Sequence, residues 1–206
     1  MNLKKNPELI PVIEWWEKDG KQTVICLLVA AIAVGGWYGW KAHKQAVKVA
    51  ASEAVVNAYT TEEIEDAISK FSGSATAGAL KLRLAKSYFD AGRFEEALAQ
   101  YEALEGNAPD GFADVPAVGK AQSLEALGRY DEALKAFDAY AEANPKSYLA
   151  LTAKLGAVRV MAQLGDKKGA QKRVDELKKA YDDDAVAKAR VEAVESLIKR
   201  YAPKAK

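Results

Sequence analysis

The stretch Gly92-Arg93-Phe94-Glu95-Glu96-Ala97-Leu98 returns 36 positions later as Gly128-Arg129-Tyr130-Asp131-Glu132-Ala133-Leu134, matched in identity or chemistry at every site. A period of that length marks helical hairpins stacked one on the next, because each unit buries its apolar face only against its neighbours. Working outward from the glycines, Ala85 and Ala121 stand seven residues before, Ala97 and Ala133 five after, Tyr101 and Phe137 nine after, and Pro109 and Pro145 seventeen after. Alanines at those steps let the two helices of a hairpin approach closely. The glycine supplies the left-handed cap that ends the first helix. Glu95-Glu96 and Asp131-Glu132 put carboxylates into the first turn of the second helix, where the macrodipole favours them, and the prolines are expected to stop that helix. A third, weaker copy has Gly165 37 residues after Gly128, with Ala170 at the packing position, Val174 where the aromatic stood, and no proline.

This constellation resembles the tetratricopeptide repeat. The resemblance implies an all-α solenoid of hairpins whose first helices line a concave face. Carried over position by position, that face takes Leu82, Lys86 and Phe89 from the first repeat, Val118, Gln122 and Glu125 from the second, and Leu155, Arg159 and Ala162 from the third. It is part apolar and part charged. Relatives that clamp a terminal carboxylate use lysine with asparagine, and no asparagine stands at these positions, so apolar contact with an extended or helical protein segment is the expected mode.

A second segment decides the rest of the layout. From Thr23 to Trp40 there are 18 residues without a charge, bracketed by Lys21 and Lys41. As a helix they span about 27 Å, the short end of a membrane crossing. Trp37, Tyr38 and Trp40 crowd one end and Trp15 and Trp16 approach the other, as interfacial aromatics do. The competing readings are a cleaved signal peptide, through Ala31-Ile32-Ala33, and a buried soluble helix. The long leader with its acids Glu8, Glu14, Glu17 and Asp19, and the apolar run beyond the would-be cleavage point, favour a retained anchor. Within it Ala31, Gly35 and Gly39 recur every four residues, a small-residue ridge on which another span could pack.

The chain divides accordingly into a juxtamembrane segment 1–22, a span 23–40 and a soluble repeat domain 41–206. Pro7 to Lys18 reads as an amphipathic helix on the membrane surface, with Leu9, Val12, Ile13 and Trp16 on one side. Residues 46–71 read as a degenerate first hairpin, its second helix opened by the capping box Thr60/Glu63. Repeats follow at about 78–111, 114–147 and 151–184. Glu105 to Pro116 is the longest loop, and Asp182-Asp183-Asp184 caps a closing helix, 185–201.

Charge and residue types exclude several functions. The first 45 residues hold six of the 30 Lys/Arg and four of the 29 Asp/Glu, leaving 24 basic against 25 acidic beyond them. No basic stripe remains for nucleic acid. The single histidine, His43, and single cysteine, Cys26, lie in or beside the apolar segment, so no metal cluster, cofactor site or nucleophilic triad is expected in the soluble domain. The chain is read as a non-enzymatic binding protein without a cofactor.

The joint layout resembles the bacterial ancillary Sec translocon subunit family, through Trp15-Trp16, Gly20-Lys21, Gly36-Trp37, Trp40 and His43 and then the repeats. That resemblance implies an inner-membrane protein with a cytoplasmic N-terminus and periplasmic repeats. Its implied partners are the Sec translocon, a periplasmic chaperone and exported clients. Lysines near the span number four before it (Lys4, Lys5, Lys18, Lys21) and three after (Lys41, Lys44, Lys48), which barely orients it. A cytosol-facing anchored receptor and an envelope-assembly or cell-division adaptor stay open on the residues alone, and oligomeric state is not readable.

Overall fold

The computed structural model describes residues 10–74 and 76–200, and among these every regular element is helical. Lys4, Lys5, Pro7, Glu8 and Leu9, and Tyr201 at the end of the expected closing helix, lie outside the described residues. Two units separate, Met1–Ala50 and Ala51–Lys206.

In the first unit, helix α1 (Ile10–Trp15) passes through a π-helical stretch (Trp16–Gly20) into α2 (Lys21–Asn57) without a break. Residues 10–20 thus run on into the long apolar helix as one continuous helical segment. Gly20 explains the local widening: a Cβ there would lie 2.9 Å from Trp16 Cε3 and 3.0 Å from Trp15 Cζ3, so both indoles rest on bare backbone. Thr23 Oγ1 donates to the Asp19 carbonyl at 2.9 Å, holding the next turn. Beyond it Ile25, Leu27, Leu28, Val29, Ile32 and Val34 are all exposed. By length and composition this is one helix able to cross a membrane. Lys41 and Lys44 each lie 5.2 Å above the rings of Trp37 and Trp40, closing the apolar run with cation–π pairs.

The second unit is a stack of helices. Thr60 caps α3 (Thr61–Phe71): its hydroxyl accepts from Glu63 N at 3.2 Å while Glu63 Oε2 accepts from Tyr59 N and Thr60 N at 2.7 and 3.1 Å. Those backbone donors hold the Glu63 carboxyl below its ordinary range. Three hairpins follow: α4 (Ala77–Asp90) with α5 (Phe94–Leu104), α6 (Val115–Ala126) with α7 (Tyr130–Ala143), and α8 (Ala150–Gln163) with α9 (Lys167–Ala180). Helix α10 (Ala185–Arg200) packs on α8 and α9.

Each hairpin turns as its glycine dictates. Gly92, Gly128 and Gly165 have φ of 75°, 74° and 93°. The residue after each donates back to the first helix (Arg93 to Tyr88, Arg129 to Leu124, Asp166 to Met161, all 2.9 Å), the six-to-one bond of a Schellman cap. Ala85, Ala97, Ala121, Ala133, Ala157 and Ala170 are fully buried where helices touch.

Stacking between hairpins uses a device of its own. A Cβ on Gly119 would sit 2.5 Å from the Tyr101 ring, and one on Gly156 2.5 Å from the Phe137 ring. Each second-helix aromatic therefore lies flat on a glycine in the first helix of the next repeat. In the last repeat Val174 takes the aromatic's place and packs in one cluster with Val191 and Ile198 of α10. Asp184 Oδ1 caps α10 by accepting from Val186 N and Ala187 N at 3.0 and 2.9 Å.

Helix α3 packs on α4, with Thr61 Oγ1 to Ser87 Oγ at 2.9 Å and Tyr88 Oη donating to Glu65. One expectation is corrected. Pro145 does stand at a helix end, but α5 stops at Leu104, well before Pro109. Gly106 at φ 77° ends it instead, and the Pro109 ring packs over Gly78, 3.4 Å from where its Cβ would be.

Candidate binding cleft

The first helices α4, α6 and α8 end at equivalent turns, and a cleft of about 670 Å³ opens along those ends. Lys86, Phe89, Gln122, Glu125, Ala126, Arg159 and Gln163 line it from the first helices, and Tyr101 and Tyr130 from α5 and α7. Five of the nine positions expected on the concave face are thus brought together: Lys86, Phe89, Gln122, Glu125 and Arg159. The other four are not among its lining residues. Val118 and Leu155 are each 3% exposed and belong to the apolar core, and Leu82 is half-buried against the core beneath α4. Ala162 is buried as well.

Charges in the cleft are internally matched. Arg159 Nε and Nη2 donate to Glu125 Oε1 and Oε2 at 3.1 and 2.7 Å, across α6 and α8. The two side chains are only 25% and 12% exposed, and Gln163 Nε2 adds a third donor to Glu125 at 3.3 Å. Such a bidentate, partly desolvated pair fixes the spacing of two repeats. On the rim Lys86 pairs with Asp90 one turn on. Apolar surface comes from Phe89, set edge-on to Phe94 at 5.3 Å, and from Tyr101, whose phenol is pushed up to about 12 first by burial and then by the Asp90 charge. A buried neutral phenol is a wall and not an acid at neutral pH.

The sequence reading missed Tyr101, Ala126, Tyr130 and Gln163 as lining residues, taking Tyr101 only for a packing aromatic. Tyr130 was visible in the repeated heptapeptide, as the partner of Phe94. Gln163 lies one turn beyond Arg159 on the same face.

A smaller cavity of about 320 Å³ lies between α7, α8 and α9, lined by Asp138, Glu142, Lys154, Arg173 and Glu176. Arg173 is locked onto Asp138 there, at 2.5 and 3.0 Å. Among the described residues no group of three or more His, Cys, Asp or Glu could hold a metal ion. In the first unit Ala31, Gly35 and Gly39 are exposed, and a Cβ on either glycine would meet nothing within 4 Å.

Glycine-capped hairpins stacked through alanines, with a cleft on their first helices, define a tetratricopeptide-type solenoid, a scaffold for protein contacts. The family model of the tetratricopeptide repeat-like domain matches residues 14–200, and the chain belongs to that family. No curated protein and no solved structure matches it.

Proposed function

We propose that this protein is a membrane-anchored scaffold at the bacterial inner membrane, its span docking on the Sec translocon and its periplasmic repeats receiving exported clients or a periplasmic chaperone in the cleft of α4, α6 and α8. The observation that carries the reading is a helix whose run 23–40 is uncharged and flanked by aromatics and lysines, followed in the chain by a repeat unit whose one face gathers Lys86, Phe89, Gln122, Glu125 and Arg159. Val118 and Leu155 support that face from beneath and are not contact residues. The open ridge of Ala31, Gly35 and Gly39 is the surface offered to another span.

Photo-crosslinkers at Lys86, Gln122 and Ala126, with exposed Lys135 and Lys172 on α7 and α9 as controls, test the cleft in cells. Translocon, chaperone or client adducts confined to the cleft positions are expected, and equal yields at the controls would overturn the site. A C-terminal reporter active only in the periplasm tests topology. A cytosolic signal would shift the reading to a cytosol-facing anchored receptor.

A further inference from the structure

A first helix in this solenoid has two buried stripes. In α8, Ala153, Ala157 and Val160 pack on the preceding repeat, while Leu151, Leu155, Val158 and Ala162 cluster with residues of α9. Helix α10 repeats the first stripe at the same steps with Ala187, Val191 and Val194, packed into the α8–α9 cluster. The second stripe, two residues earlier at each step, falls on Ala185, Ala189, Glu192 and Ser196, with Ala193 beside it, and all five are exposed. Val186 and Leu197 flank it, 73% and 38% exposed. A closing helix ordinarily turns a polar outer face to water. Helix α10 instead keeps the contact face of a first helix, with no second helix over it among the described residues.

We propose that this face takes α10 of a second copy of the chain, antiparallel, about a two-fold axis level with Val191. Such an axis sets Ala189 opposite Ala193 of the second copy, so that the two helices approach closely. It also brings the same flank of each helix together, read in opposite directions. Lys188, Glu192 and Lys199 share one flank, within a sector of about 40°, with Asp182 and Asp183 ahead of it and Arg200 at its end. Reversed, that row opposes Asp182 and Asp183 to Arg200 and Lys199, and Lys188 to Glu192. A parallel pair would set each charge against its like. Within one chain Lys188 reaches Asp182 at 2.7 Å and Lys199 reaches Glu195 at 3.2 Å, contacts that leave both ammonium groups with donors to spare. On the other flank Val186 meets Leu197, while Arg190 is held in its own chain by Thr152 at 2.8 Å. One helix face is a small interface, below the roughly 1,200 Å² of stable complexes, so the pairing is weak and reversible.

The test uses the full chain in detergent micelles with Cys26→Ala as background. Ala189→Cys and Ala193→Cys variants, one carrying a size tag, are mixed and oxidised with copper–phenanthroline, and disulfides are read on non-reducing gels. The disulfide between the two different sites should form at least about fivefold faster than either same-site disulfide, because the axis offsets like positions by four residues, about 6 Å along the helix. It should likewise outpace self-linking of Lys135→Cys, an exposed control on α7. Placed on both copies, Lys188→Glu or Glu192→Lys should slow the mixed disulfide about three- to tenfold by setting like charges together. With Lys188→Glu on one copy and Glu192→Lys on the other, the rate should return, which a merely misfolded variant would not do.

Same-site disulfides faster than the mixed one would mean a parallel pair and would overturn the inference. A mixed disulfide no faster than the Lys135→Cys control would overturn it as well, leaving the face to a helix of another protein; association through the span alone gives this result. An undiminished rate with either charge reversal on both copies would show that the charge row does not face its own copy, and the antiparallel pair would fall with it.

Discussion

Adding one methyl group at Gly156 should break the stack between the second and third repeats. In an exposed helix interior Gly→Ala stabilises by about 1 kcal/mol through propensity. Here the new Cβ would lie 2.5, 2.6 and 2.8 Å from Cζ, Cε1 and Cε2 of Phe137, against a comfortable carbon–carbon separation of about 3.5 to 4 Å. The ring would have to retreat by about 1 Å, and it is fully buried in a cluster with Leu98, Val118, Leu124, Tyr140 and Val160. Overpacking of this kind costs about 1 to 3 kcal/mol, and a contact on three ring atoms belongs in the upper half of that range. Gly156→Ala should thus be destabilising by about 1 to 2 kcal/mol net. Gly78→Ala, whose Cβ would meet only the Pro109 ring at an ordinary 3.4 Å, should be neutral to stabilising by up to about 1 kcal/mol.

The decisive comparison is Phe137→Val, the residue type that stands at this position in the third repeat as Val174. Alone it opens a cavity and costs about 2 to 4 kcal/mol. Combined with Gly156→Ala, the methyl enters the vacated space, and the double variant should be at least about 1 kcal/mol more stable than the sum of the two losses. Equilibrium urea unfolding of the full chain in micelles, followed by far-UV circular dichroism, measures all four species. Because a solenoid's stability is a sum of repeats and interfaces, Gly156→Ala should also broaden the transition as α8–α10 uncouple from the rest. Stabilisation by Gly156→Ala, or strict additivity with Phe137→Val, would refute the aromatic-on-glycine account.

Glu195 on α10 is 14% exposed and takes Lys178 of α9 at 2.8 Å, Gln171 at 3.0 Å and Lys199 at 3.2 Å; these, Lys178 first, hold its carboxyl at about 2 against an ordinary 4.5. A depressed carboxyl stabilises above its unfolded value and loses that contribution as pH falls to the folded one, so Glu195→Gln should cost about 1 to 2 kcal/mol at neutral pH, after allowance for solvent screening, with the gap closing between 4.5 and about 2. A gap constant across that window in urea titrations would refute the linkage. The full chain should stay with membranes through carbonate extraction because its apolar helix has no burial within the protein, and release of intact chain would refute the anchor.

Hairpin boundaries were legible because they depend on single residues whose local physics admits one outcome. Gly92, Gly128 and Gly165 all adopt positive φ, and Thr60 with Glu63 forms the full capping box. Pro109 misled for the complementary reason: proline shows where a helix cannot continue, while Gly106 had already ended it. Gly119 and Gly156 stand at matching places 37 residues apart, yet within a helix each reads as a propensity defect. Only the ring of the preceding repeat, 18 and 19 residues upstream in Tyr101 and Phe137, gives them a reason, and that contact exists only once the hairpins have stacked.

The same limit divides the candidate site. Val118, Gln122 and Glu125 fall within a sector of about 60° on their helix, so angular position assigns all three to one face. Depth along the helix separates them. The cleft opens at the last turns, where Gln122 and Glu125 lie, while one turn earlier Val118 is closed into a core shared with Leu98, Phe137 and Val160. Leu155 repeats the pattern in α8, and Leu82 stays half-buried in the first repeat. Helical period thus encodes which way a side chain points. How far the neighbouring hairpin covers it follows from the close approach of Ala121, Ala133 and Ala157, and this makes a column of Lys86, Gln122 and Arg159 accessible above a column of Leu82, Val118 and Leu155 that holds the solenoid together.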